Sequence, residues 1–258
     1  MKGKNWREYE PYGRRRKKRR RRKGGMMRRG LLLVVLFALG YGGFLLYYAI
    51  SRPYMIALDA GHGGSDGGAV GVIQEVTLTE STVEKLQNLL EADGRFRVVL
   101  SRKAGEGKSI DERNAKLRRW RPDILLSIHG NANEDSGAYG FECYPSPPGY
   151  DNHQKSLAFA LLLAEEMEQA GAKLRGRNGV RFGYYVEGGK KMLVESDDTT
   201  VYPYGTFGML RNMNWPAVLV EQCFVTNTAD VENFGTEEGC QKAAEAYYHA
   251  ICRYLEGE

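Results

Sequence analysis

A chain of 258 residues, 42% hydrophobic and 27% charged, has enough apolar content to build a core of ordinary size, which excludes disorder throughout. Its formal net charge of +5 averages two opposite parts: residues 1–30 hold 15 Lys or Arg against two acids, while the rest of the chain holds 22 basic residues against 30 acidic ones. The acidic majority removes the main support for a nucleic-acid partner, and none is expected.

The basic tail, residues 1–30, includes the run Arg14 to Lys23, which has no interleaved aromatics. Attraction to anionic lipid and the setting of membrane topology account for such a run next to an apolar segment. That segment, residues 31–50, is LLLVVLFALGYGGFLLYYAI, twenty residues without a charge, ending in an interfacial Tyr47-Tyr48 pair. At about 1.5 Å per helical residue it covers roughly the 30 Å hydrocarbon core, so a single transmembrane helix is expected. Positive charge stays on the cytoplasmic side, which places the N-terminus inside and everything after Ser51 outside. The apolar run is longer than a signal-peptide core and no A-x-A site precedes the folded part, so an uncleaved signal-anchor in the cell membrane is expected. Residues 51–53 form a short linker that keeps the following domain, residues 54–258, near the bilayer.

From Tyr54 the chain alternates short apolar runs with helical periodicity, the pattern of an α/β fold: a single open, mostly parallel sheet flanked by helices. In order, a strand over Tyr54 to Leu58 leads into the glycine-rich stretch Gly61 to Gly71. A helix from Glu75 to Ala92 stops before Gly94, and a strand covers Arg97 to Ser101. Ser109-x-x-Glu112 has the form of a capping box opening a helix, and strands follow over Ile124 to Ile128 and Tyr139 to Tyr144. A helix over Ser156 to Ala170 stops at Gly171. Residues 181–204 read as an insertion, with VRFGYYV and KMLVE around Gly188-Gly189 forming a β-hairpin. A strand over Ala217 to Val220 and a helix from Thr236 to Leu255 complete the series. Four cysteines, Cys143, Cys223, Cys240 and Cys252, make no C-x-x-C pair. Cys240 and Cys252 on one helix stand about 18 Å apart and cannot bridge each other, and buried free thiols are expected for at least some of the four.

Three of the expected strands end in a residue suited to metal binding or acid–base work: IALDAGHGG delivers His62, ILLSIHGNAN delivers His129, and AVLVEQCF delivers Glu221. In open parallel sheets the C-terminal strand ends face one crevice, so groups distant in sequence meet there. The other two histidines, His153 in an expected loop and His249 on the last helix, lack this placement. A catalytic zinc site commonly takes three protein ligands. Glu75, opening a helix after the glycine-rich stretch, offers a third, although an acid there also suits the helix macrodipole.

The segments DAGHGGSDGGAVG, the Glu75 helix, LLSIHGNAN and PAVLVEQCFVTN, in that order and with family-like lengths between the first three, together resemble the zinc-dependent N-acetylmuramoyl-L-alanine amidase family, catalytic domain type 3. The resemblance runs from about Met55 to Leu255. It implies one Zn2+ per chain held by His62, Glu75 and His129, with Glu221 at the position of the catalytic glutamate. It also implies peptidoglycan as the substrate, cut between N-acetylmuramic acid and the L-alanine of the stem peptide. Glu80 stands where the family more usually has leucine, while Leu86 keeps the apolar register. Asp59, Asn131 and Asn133 lie near the expected ligands and either orient them, bind substrate or cap turns. Arg102 and Arg113 read as members of structural ion pairs. Two other functions remain in play: a zinc peptidase acting within the stem peptide, and a non-catalytic wall-binding module. An activating partner protein is not legible.

Overall fold

The computed structural model describes residues 17–257, so the first sixteen residues of the expected basic tail lie outside the described residues. The chain forms two compact units, divided between Arg52 and Pro53. In the first, one helix, α1 (Lys17–Ser51), contains the expected apolar span. Its window Met27–Phe44 has mean hydropathy 1.4 and none of it is buried, which by length and composition suffices to cross a membrane.

The second unit is an α/β domain. Strands β1 (Tyr54–Ala60), β2 (Phe96–Leu100), β3 (Ile124–Asn131), β4 (Glu142–Pro145) and β7 (Ala217–Phe224) form one sheet in the order β2-β1-β3-β7-β4. All neighbours are parallel except β4, which runs antiparallel to β7 on the edge. A separate two-stranded ribbon, β5 (Arg181–Tyr185) and β6 (Lys191–Glu195), is the hairpin expected within the insertion.

Helices α2 (Glu75–Ala92), α3 (Ile110–Trp120), α4 (His153–Gln169), α5 (Thr228–Phe234) and α6 (Glu237–Glu256) cover the sheet. The start of α3 is fixed by the expected capping box, in which the Ser109 side chain accepts the Glu112 N–H and the Glu112 carboxylate accepts the Ser109 N–H. The Thr236 hydroxyl caps α6 and Gly257 ends it with a left-handed residue. Two local expectations are corrected. His153 opens α4 instead of sitting in a loop, because the Tyr150 carbonyl accepts its N–H and the Ser146 carbonyl lies 2.9 Å from its Nδ1. The seven-residue α5, not anticipated, is nucleated by Asn227, whose side chain accepts the Asp230 N–H.

The two-residue period of the strands sorts side chains onto two faces. Ile56 and Leu58, Ile124, Leu126 and Ile128, and Val218 and Val220 point into a core shared with α2, α4 and α6. Each such fully buried aliphatic side chain contributes about 1.5–3 kcal/mol relative to exposure. The intervening residues Ala57, Leu125, Ala217 and Leu219 face a smaller cluster made with Leu117 of α3 and with Phe207, Met209, Leu210 and Met213. By the same alternation Asp59, Ser127, His129 and Glu221 lie on this second face, toward the C-terminal strand ends. The four cysteines are free thiols, Cys143, Cys223 and Cys240 buried and Cys252 partly so, and Cys240 and Cys252 share α6 as expected.

Candidate active site

Register places the polar residues of the second face in a row. His129 pairs with Glu221 across the parallel β3 and β7, and Glu221 pairs with Glu142 across the antiparallel β7 and β4. The loop after β1 brings His62 to the same place in a left-handed conformation (φ 62°). Arg113 holds that turn by donating to the carbonyls of Ala60 and His62 and to the carboxylate of Asp59. Asp59 is fully buried and also accepts from the hydroxyls of Ser101 and Ser127, the latter at 2.6 Å.

The structure brings His62, Glu75 and His129 together: one nitrogen from each ring and a carboxylate oxygen lie within 4.8 Å of one another, the one such group among the described residues. Oε1 of Glu75 lies 3.0 Å from His62 Nε2 and 3.0 Å from His129 Nδ1, and it accepts the Gly130 N–H at 3.1 Å. Its other oxygen, Oε2, accepts the Ala69 N–H at 2.9 Å. The second nitrogen of His62 is 2.9 Å from Asp66, a carboxylate four residues on that fixes the ring orientation. Sequence reasoning did not single out Asp66; the His-x-x-x-Asp spacing within a glycine-rich turn was the available signal.

Two glycines make room for this arrangement. A Cβ on Gly61 would meet the His129 ring at 2.4 Å, and one on Gly68 would meet Glu75 Oε2 at 2.6 Å and His62 Cδ2 at 2.7 Å. Two imidazoles and a carboxylate, in a space that side chains at either glycine would fill, form a donor set of the kind that could hold a zinc ion.

The three side chains act strongly on one another's charge. The Glu75 carboxyl is pushed up by burial, but both histidines outweigh this and hold it well below the usual carboxylate range. The hydrogen bond to Glu75 raises His62 to about 9, against the lowering effect of burial and with help from Asp66. Glu221 stands apart from the trio as a carboxyl pushed up to about 7 by burial, with the nearby carboxylates of Glu75 and Glu142 adding to the shift. All four side chains line one cavity of about 550 Å³.

The remaining residues singled out from sequence divide. Asp59 and Asn131 also line the cavity. Asn131 donates to Glu142 at 2.6 Å, while the Asn133 side chain caps a turn by accepting the Asp135 N–H. Arg102 and Arg113 are both in ion pairs, Arg113 with Asp59 and Arg102 with Glu80 at 2.5 Å. Glu80 is therefore the partner of an arginine whose side chain is fully buried. Glu142, not anticipated, is a buried carboxylate joined to Arg175 and, at 2.9 Å, to Arg181 of the hairpin.

Residues 56–253 match the family described as N-acetylmuramoyl-L-alanine amidase. Among curated proteins, the chain is 26% identical over 247 residues to the probable amidase AmiB of Haemophilus influenzae, covering 87% of this chain and 57% of that protein. It is 30% identical over 202 residues to the amidase LytC of Bacillus subtilis, covering 77% of this chain and 35% of LytC. The chain thus spans little more than half of the first relative and about a third of the second. Among solved structures, an amidase from Clostridium difficile 630 superposes with TM-score 0.66 at 23% identity, covering 81% of this chain and all of that one, and shares the fold. The amidase CwlD of Clostridioides difficile, solved in complex with the GerS lipoprotein, gives TM-score 0.60 at 25% identity, with 80% and 100% covered.

Proposed function

Because the chain belongs to the N-acetylmuramoyl-L-alanine amidase family, we propose that it is a zinc hydrolase that cuts peptidoglycan between N-acetylmuramic acid and the L-alanine of the stem peptide. The observation that carries this reading is the meeting, in one cavity, of a two-imidazole, one-carboxylate set with a separate buried glutamate. His62, Glu75 and His129 would hold one zinc ion per chain. When bound, the ion polarises the scissile carbonyl and makes water a nucleophile near neutral pH.

Glu221 takes the proton of the attacking water and returns it to the departing L-alanine amine. Its strand register beside His129 keeps it next to the ligands without making it one of them. Arg113, braced by Asp59, fixes the turn that presents His62. Asn131 steadies the end of β3 through Glu142, and Asn133 serves its own turn. The insertion, residues 181–204, borders the cavity through Tyr185 and Lys191. In this reading α1 anchors the chain in the membrane, with the basic tail in the cytoplasm and the catalytic domain outside.

Digestion of purified peptidoglycan by the full chain in detergent, followed by mass spectrometry, tests the proposal. The expected products are intact stem peptides with a free L-alanine amine. Release is expected to stop on chelation, to return with zinc, and to be absent in a Glu221→Gln protein that still carries zinc. Fragments cut within the stem would assign a peptidase instead, and no release from folded, zinc-loaded protein would leave a wall-binding module.

A further inference from the structure

Hairpin β5–β6 places two side chains over the cavity that holds the metal-binding trio. Tyr185 and Lys191 are direct partners in the hairpin register, and both line that cavity. Phe207 supports them from below. The Lys191 ammonium lies 5.3 Å from its ring centroid, and the edge of Tyr185 meets the same ring at 5.7 Å. Phe207 is itself buried and packs on Tyr144, at 4.9 Å between centroids, which ties the hairpin to edge strand β4. A second tie is the Arg181–Glu142 ion pair. The lysine is therefore carried on a ribbon fastened at two points to the catalytic sheet.

Three basic residues line the cavity, and two are already committed. Arg113 is paired with Asp59, and Lys108 lies 3.5 Å from both Glu106 and Glu112. Lys191 has the face of an aromatic ring, and no ion pair within 4.0 Å involves it among the described residues. A cation held over an aromatic face keeps its hydrogen-bonding protons available for an anionic ligand. The stem peptide of the substrate proposed above presents such a group where the residue following its L-alanine carries a carboxylate outside the peptide linkage. Lys191 and Glu221, which in the reading above marks the scissile bond, line the same cavity, so a substrate held at Glu221 extends within it toward the ammonium.

We propose that Lys191 is a specificity-determining residue that pairs with the free carboxylate of the stem residue next to L-alanine. The inference rests on the amidase reading. It makes the insertion a reader of wall chemistry: a stem with that carboxylate free is taken in preference to one in which it is amidated. A charge-assisted hydrogen bond of this kind amounts to roughly tenfold in affinity.

The test uses two soluble muramoyl-peptides that differ only in whether this carboxylate is free or amidated, hydrolysed by the full chain in detergent. The wild-type protein is expected to favour the free acid by roughly tenfold in kcat/KM, the difference lying in KM. In Lys191→Gln this preference collapses toward one, and in Lys191→Arg it is restored. A preference unchanged in Lys191→Gln, or an equal loss on both substrates, overturns the proposal. Calorimetric binding of the two released stem peptides to Glu221→Gln protein, with and without Lys191→Gln, probes the contact without turnover. Failure of the wild type to cleave either substrate then counts against the amidase reading, and binding that ignores the carboxylate counts against this one.

Discussion

Glu75 shows how much one carboxylate does here. It accepts two backbone N–H groups, from Ala69 and Gly130, and meets both imidazoles, so one side chain ties two loops and two rings together. Glu75→Gln and His62→Ala are expected to bring zinc well below one per chain, read by elemental analysis of protein that still melts cooperatively. Gly68→Ala is expected to weaken metal binding from outside the ligand set, since φ is +67° and the added methyl would press on both Glu75 and His62. Backbone strain in that region costs about 1 kcal/mol or more, visible as a lower melting temperature alongside the lost metal. That His62, Glu75, His129 and Glu221 gather in one cavity was legible because each follows an apolar strand, sits at a strand's polar end or opens a helix. Asp66 and Glu142 were not, since their meaning comes from partners, a ring four residues away and two arginines from other elements. Nor did the sequence indicate that Asp59 serves Arg113 and two serines instead of a histidine.

At the scale of elements, the capping box of α3 was readable from four letters, because the pattern states its own hydrogen bonds. Ser109→Ala is expected to cost about 1 kcal/mol, measured by chemical denaturation. Glu80 makes a sharper case. Leucine at that position would destabilise this protein, because the buried Arg102 guanidinium would lose its carboxylate. Arg102 would keep the carbonyls of Ala60, Gly61 and Lys103, so the expected loss is on the order of 1–3 kcal/mol, less than a fully orphaned charge. Strands β3 and β7 run past their expected ends to Asn131 and Phe224. Polar residues closed the apolar runs in the sequence, yet their backbones continue the ladder, with a register shift between His129 and Asn131. The short α5 escaped notice because seven residues hold too little periodicity, although Asn227-x-x-Asp230 was its cap.

At the scale of the whole molecule, the α/β architecture was legible from alternating apolar runs, and the split into two units from the abrupt change of composition near residue 52. What stayed hidden was the face on which each polar residue falls, since that depends on strand order and register. The full chain is expected to remain in the membrane pellet after alkaline carbonate extraction, and a chain lacking residues 1–52 to be recovered in the supernatant with its α/β circular-dichroism spectrum intact. The free thiols carry one more implication. No covalent cross-link joins Cys143, Cys223, Cys240 or Cys252, and burial pushes the Cys143 and Cys223 thiols well above their ordinary pKa, which keeps them unreactive. Maturation of the α/β domain therefore asks nothing of an oxidative folding machinery, and the domain can reach its native state equally well in an oxygen-poor or strongly reducing surrounding.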